Sequence, residues 1–266
     1  MPTQTSATEV VQHFTSRGRI ALRELQKWKQ RPGCEHVPQA VLGHTTSAPY
    51  TIAADDIMRL ETKHPLGQAR PQNVNKIAAI RNWRPDFAFT HLFHFMLEQH
   101  HGVFSWEEFR MWAQGPDVRE WLWEPAQKLV RDAIESGFDS DLAHQAMQWR
   151  IGNSYYSFLR ELYVIARFRE CGIPLLCHPL ADALFRADAW CEGMILELYI
   201  PNPAYKTAYT GRKFKAADFF TDQEHLTVLS LELPVQRIFG EVHLPTDETI
   251  NAAVARLRTA AGQRVT

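Results

Sequence analysis

Apolar residues recur at helical spacing through the first half of the chain and at strand spacing only in the second. Val10, Val11, Phe14, Ile20, Leu22, Leu25 and Trp28 predict helix across residues 7–30. Pro32-Gly33, Pro38, Gly43 and Pro49 then predict loop and short extended pieces over residues 31–50. A short helix is expected from Asp55 to Leu60, and a polar loop over 62–75. Another helix runs from Pro85 to His101, stopped by Gly102. Ser105-Trp106-Glu107-Glu108 has the form of a capping box, in which hydroxyl and carboxylate satisfy the first amides of the next helix. Pro116–Ser136 and Asp139–Trp149 give two more helices, the first stopped by Gly137.

The pattern changes near residue 150. Asn153 or Ser154 can cap a helix running to Arg169, ended by Cys171-Gly172. Extended pieces follow at Leu175–His178, Leu184–Cys191 and Met194–Ile200. Tyr205–Phe220 is a basic loop or helix, Thr227–Leu233 a fourth strand, and Thr246-Asp247-Glu248 opens a last helix with Ile250, Val254 and Leu257 on one face. The order α-β-β-β-α-β-α predicts an α/β (α+β) fold. A mostly helical region, residues 1–150, is followed by a mixed-sheet domain, residues 151–266.

The most informative segment is Arg186–Ile200. With Glu192-Gly193 as a two-residue turn, Cys191 pairs with Met194, Trp190 with Ile195, Ala189 with Leu196 and Asp188 with Glu197. Alternation places Ala187, Ala189, Cys191, Met194, Leu196, Leu198 and Ile200 on one apolar face. Arg186, Asp188, Trp190, Ile195, Glu197 and Tyr199 fall on the other. Two opposed acids repel at the roughly 5 Å spacing of cross-strand neighbours. A divalent cation is one way to compensate them. The alternative is a half-exposed hairpin with charged residues on its outer face, where Arg186 pairs diagonally with Glu197.

Composition narrows the classes. The chain has 266 residues and a formal charge of −1, which neither requires nor excludes a nucleic-acid partner, since a local patch is enough. No run of about 18 apolar residues predicts a membrane span. The segment Met1–Ser6 has no apolar stretch of the kind that opens a secretory signal. Cys34, Cys171, Cys177 and Cys191 are few and irregularly spaced, so a reduced, cytoplasmic protein is expected. No CxxC, GxSxG, GxGxxG or P-loop pattern occurs, which leaves zinc modules, nucleotide hydrolysis and dinucleotide redox chemistry without support.

A helix carrying Glu161, then Asp188, then Glu197 within Ile195-Leu196-Glu197-Leu198-Tyr199 resembles the PD-(D/E)xK, restriction-endonuclease-like nuclease superfamily. The resemblance covers roughly residues 153–260. It implies that Glu161, Asp188 and Glu197 bind Mg²⁺ (or Mn²⁺) and that the protein is an endonuclease hydrolysing phosphodiester bonds in DNA. It also implies service in a mobile-element, restriction or repair system. The helical region, residues 1–150, is expected to contact DNA or other protein subunits. The pattern departs at Tyr199, where the family has Lys. Lys206 and Lys213 are candidate replacements, and Lys213 is the expected fourth catalytic residue. Lys206, Arg212, Lys213 and Lys215, interleaved with Tyr205, Tyr209 and Phe214, are the expected nucleic-acid contacts, against a solvated turn as the alternative. The rival to the enzyme is a non-catalytic nucleic-acid-binding or assembly subunit that keeps the fold. His91, His94 and Glu98 share a helix face but no metal motif, so a polar face with a partly buried His is the expectation there.

Overall fold

The structure is a computed structural model that describes residues 2–67, 70–199, 215–232, 237–239 and 242–262. It is a mixed α/β protein, rich in helix. The helices are α1 (Ala7–Thr15), α2 (Arg19–Lys29), α3 (His36–Leu42), α4 (Ala54–Met58), α5 (Pro71–Val74), α6 (Ala78–Arg81), α7 (Phe89–His100), α8 (Trp106–Ala113), α9 (Trp123–Glu135), α10 (Ser140–Glu170), α11 (Pro179–Phe185), α12 (Ala216–Phe219) and α13 (Asp247–Gly262). The strands are β1 (Thr5–Ser6), β2 (Thr45–Thr46), β3 (Ala189–Cys191), β4 (Met194–Tyr199), β5 (Thr227–Glu232), β6 (Arg237–Phe239) and β7 (Val242–Leu244). The main sheet has three strands in the order β3-β4-β5, with β3/β4 antiparallel and β4/β5 parallel.

The local signals explain most of these elements. The Ser105 box forms as expected: Ser105 N–H donates to Glu108 Oε2 at 2.6 Å, and Glu108 N–H to Ser105 Oγ at 3.2 Å. Asp139 Oδ1 accepts from Leu142 N–H at the start of α10. The 7–30 helix is instead two helices, because the chain turns at Ser16–Gly18. A Cβ on Gly18 would collide with the Gln223 side chain, whose amide donates to Phe14 O.

The larger correction is α10. The expected break between Trp149 and Asn153 does not occur, and one 31-residue helix runs through it. Asn153 and Ser154 turn their side chains back to the carbonyls of Trp149 and Arg150, so they serve as helix-interior residues rather than caps. Gly152 is there for close packing: a Cβ would sit 2.8 Å from Pro65 O. Residue 150 therefore lies inside a continuous helix. The main apolar core also draws on both sides of it, from Val10 and Phe93 to Trp190 and Ile195.

A second core cluster fills the other side of the sheet. Ala189, Cys191, Met194 and Leu196 pack there against Val164, Ile165 and Phe168 of α10 and against Ile250, Val254 and Leu257 of α13. That is the apolar face expected from alternation. Trp190 and Ile195, assigned to the more polar face, are also buried, because the helical core covers that side. The hairpin is thus dry on both faces near its turn and opens only at its far end, where Asp188, Glu197 and Tyr199 lie. No helix among the described residues is long and apolar enough to cross a membrane.

Candidate functional site

The hairpin register is the expected one: Cys191↔Met194, Trp190↔Ile195 and Ala189↔Leu196. Glu192 and Gly193 both take positive φ, 42° and 79°, as a two-residue turn of the type-I′ kind requires. The ladder ends one pair before Asp188 and Glu197. Asp188 N–H donates to Leu196 O at 3.0 Å, and Leu198 N–H donates to Asp188 Oδ2. The Asp188 carboxylate thus replaces a backbone acceptor, which fixes its position at the mouth of the hairpin.

Three acids converge there. Carboxylate oxygens of Glu161 (α10), Asp182 (α11) and Asp188 lie within 4.8 Å of one another, and all three residues are half-buried. Sequence reasoning placed Glu161 and Asp188 at the site, and the structure brings these two together. It missed Asp182, which falls between the expected extended pieces Leu175–His178 and Leu184–Cys191, whereas Pro179–Phe185 is a short helix. Pro179 stands at its first position and His178 caps it, with Nδ1 accepting from Leu180 N–H. A Pro at the first helical position with a polar residue before it was the available signal. Seven residues are too few for periodicity to reveal a helix.

The electrostatics of the trio follow from burial. Desolvation holds the Glu161 carboxyl well above the usual range, and the charges of Asp182 and Asp188 add to the effect. Asp188 is raised for the same reasons: burial first, then the Asp182 charge, with the Leu198 N–H pulling the other way. Asp182 is raised by burial, against which the contact with the Asp188 carboxyl and the charge of Arg186 act. Three carboxylates this close repel, and each of the three is held above the usual carboxylate range.

Glu197 stands beside this trio rather than in it. Its carboxylate accepts from Ser230 Oγ on the parallel strand β5 at 2.8 Å, and its charge is felt at Asp188. Tyr199 is exposed, and its hydroxyl donates to Glu232 Oε2 at 2.7 Å. It is held across β4/β5 at the sheet's end. Lys206, Arg212 and Lys213 lie outside the described residues. Lys215 is exposed, and its N–H caps α12 by donating to Asp218 Oδ2.

A second titratable cluster sits at the other end of α11. His91 and His94 of α7 are buried beside His44 and His178, with ring centroids of His44 5.3 Å from His178 and 6.3 Å from His94. This corrects the expected polar face on α7. Both ring nitrogens of His91, and Nδ1 of His94, have no hydrogen-bond partner among the described residues. Burial pushes His91 and His44 down to about 3, so the rings are neutral. Glu98 is not beside them as a ligand. It accepts the N–H groups of Ser47 and Ala48 at 2.7 and 2.9 Å and so holds the turn at Ala48–Tyr50. All four cysteines are free, and Cys34, Cys177 and Cys191 are buried.

No family model, curated protein or solved structure matches the chain.

Proposed function

We propose that the protein is a divalent-metal-dependent endonuclease acting on DNA, with Glu161, Asp182 and Asp188 as the metal-binding residues. The observation that carries this is the convergence of three half-buried carboxylates within 4.8 Å, at the mouth of the hairpin. The donor set fits a hard cation. Three oxygen donors of negative charge suit Mg²⁺ or Mn²⁺, which keep water and can reach a substrate phosphate. The raised proton affinity of the trio adds to the fit, since a cation can take the place of protons there.

Bound there, the ion would activate water and stabilise charge on a phosphate oxygen. The protein's own residues do the rest. Asp188 is locked at Oδ2 by the Leu198 N–H, which fixes its carboxylate beside Asp182 for an ion to engage. Glu161 comes from the middle of the long helix α10, a rigid mount. Arg186 follows α11 with φ 60°, and its charge reaches Asp182, which puts a cation beside the acids. Glu197, held by Ser230, can accept a proton or a water hydrogen next to the trio.

One observation favours the rival, a non-catalytic DNA-binding or assembly subunit. Tyr199 occupies the Lys position and is engaged with Glu232 instead of the acids. Plasmid cleavage separates the two. With Mg²⁺ or Mn²⁺ the wild-type protein should nick or linearise plasmid DNA. Asp188→Asn and Asp182→Asn should each reduce the rate by more than the ~10²-fold that loss of a supporting group typically costs at a metal site. DNA binding without any cleavage in either ion would select the subunit.

A further inference from the structure

Helix α2 breaks the rules that govern a surface helix. Residues 17–31 hold six cations (Arg17, Arg19, Arg23, Lys27, Lys29 and Arg31) and one acid, Glu24, a net charge of +5 in a chain whose total is −1. Arg19, Arg23 and Lys27 recur every fourth residue, so they stack along one side at a rise of about 6 Å each. Like charges at that spacing destabilise a helix. The first turn of α2 has no acidic residue and starts on Arg19, against the helix dipole. The helix end is held instead from outside, by Asp222, which accepts the N–H groups of Arg19 and Ile20 at 2.7 and 3.2 Å. A helix that keeps local costs of this kind is retained for something other than stability.

The neighbours offset only part of the charge. Glu24 is shared between Arg23 and Lys27, and Asp86 pairs with Arg31. Ala21 and Leu25 point into the core, and Arg19, Leu22, Arg23, Gln26 and Lys27 face solvent. Beside them is an open groove of about 560 Å³ between Lys27, Trp28 and Arg31 on one side and Leu184 on the other. Leu184 belongs to α11, which packs on α2 and carries Asp182 two residues earlier. Helix α11 thus adjoins both features: it packs on α2 and carries Asp182 of the acid cluster.

We infer that the exposed face of α2 is a docking surface for the phosphate backbone of DNA, which leads the strand over α11 to the acids. The choice of DNA rests on the nuclease reading; the charge pattern by itself specifies a polyanion. A lipid surface fits poorly, because an interfacial helix lays a broad apolar face into the membrane. The apolar face of α2 is already used in the core, and Leu22 is its one large exposed apolar residue. A row of cations with a half-buried Trp at its end suits a strand of regularly spaced phosphates with bases beside it.

The test uses the full-length protein and a fluorescein-labelled duplex of about 20 base pairs, followed by anisotropy in EDTA from 50 to 200 mM KCl. Each phosphate contact contributes close to 0.9 to the log–log salt slope. The triple substitution Arg19→Gln, Arg23→Gln, Lys27→Gln should flatten that slope by about 2–3 and weaken binding at least tenfold, with the circular-dichroism spectrum unchanged. Glu24→Lys should tighten binding, a gain that misfolding does not produce. Asp188→Asn should bind as the wild type does and fail to cleave, which separates the two readings. If Asp188→Asn still cleaves while the triple variant loses binding, the metal site is wrong and the docking face stands. Wild-type affinity and slope in the triple variant overturn the docking face whatever the cleavage result. Absence of wild-type binding at 50 mM KCl also overturns it. So does α2-dependent capture by phosphatidylserine vesicles in place of the duplex.

Discussion

The two buried titratable clusters lie at opposite ends of one short helix and answer the same physical pressure in opposite ways. His178 caps the start of α11, next to His44, His91 and His94, and Asp182 stands one turn on, next to Glu161 and Asp188. Burial disfavours charge in both places. For imidazoles the neutral form is the deprotonated one, so proton affinity falls; for carboxyls it is the protonated one, so proton affinity rises. The histidines thereby become ordinary core residues with nothing left to neutralise. The acids cannot reach neutrality so cheaply above pH 7, since three carboxyls would have to hold three protons. A buried cluster therefore implicates a cation when its neutral form is the one disfavoured at working pH. That criterion selects the acids and passes over the histidines, although histidine is the commoner metal ligand.

The contrast predicts opposite pH slopes for the two ends of α11. For the histidines the unfolded chain binds protons near pH 6.5 and the folded one does not until about 3 at His91 and His44. Their contribution to stability is complete above pH 6.5 and is lost as the pH falls towards 3. Each such ring takes up to about 1.4 kcal/mol per pH unit inside that window. His91→Leu should flatten the fall in denaturant-measured stability between pH 6.5 and 5 by about that amount per unit, and cost little at pH 7.5, where it removes two unpartnered nitrogens. An unchanged slope would mean that His91 is protonated or hydrated in solution. For the acids the sign reverses: the folded state holds protons more tightly, so stability falls as pH rises above the unfolded carboxyl range near 4.

A cation should cancel that second slope. At a free Mg²⁺ or Mn²⁺ concentration about 100 times its Kd, binding to the folded state alone adds roughly 2.7 kcal/mol. Thermal denaturation at pH 8 should therefore show a rise in Tm on adding the ion, smaller at pH 5.5, where protons compete. Asp182→Asn should abolish the rise and leave the metal-free protein at least as stable as the wild type, because it removes one of three repelling charges. A metal-independent Tm in the wild type would put the acids in the same class as the histidines, as groups that simply stay neutral.

Much of this site was legible in the residues, and the part that was not has identifiable causes. The hairpin was readable because turn chemistry and alternation act over a few residues: Glu192-Gly193 fixes the turn, and the turn fixes which residues oppose. Asp188 stands at the mouth of the hairpin for that reason, and the structure brings Glu161 beside it. Asp182 was hidden because α11 is too short for periodicity and is set by Pro179 and the His178 cap. Asp188 and Glu197 do not pair as a ladder, since the Asp188 carboxylate itself takes the Leu198 N–H and ends the ladder. The α10 break was misread because Gly152-Asn153-Ser154 signals a boundary locally, whereas Gly152 answers a contact with Pro65, 87 residues away in sequence. Contacts of that range leave no local pattern.

The smallest predicted effect concerns Tyr199, the residue that divides the enzyme from the subunit. Its hydrogen bond to Glu232 is exposed, and exposed polar pairs of this kind contribute little to stability. Tyr199→Phe should leave stability nearly unchanged and DNA cleavage within a factor of about two, because the hydroxyl is engaged with Glu232 and not with the acid trio. Tyr199→Lys is the sharper variant. It sets an ammonium between Glu232 and Glu197, and a lysine there should draw to Glu232 unless the substrate phosphate competes for it. Cleavage raised by Tyr199→Lys and unchanged by Tyr199→Phe would show an acid cluster that works without its usual cation and benefits when one is restored. Cleavage abolished by Tyr199→Phe would instead place the hydroxyl in the reaction, and the Glu232 bond would then be a resting arrangement that substrate displaces.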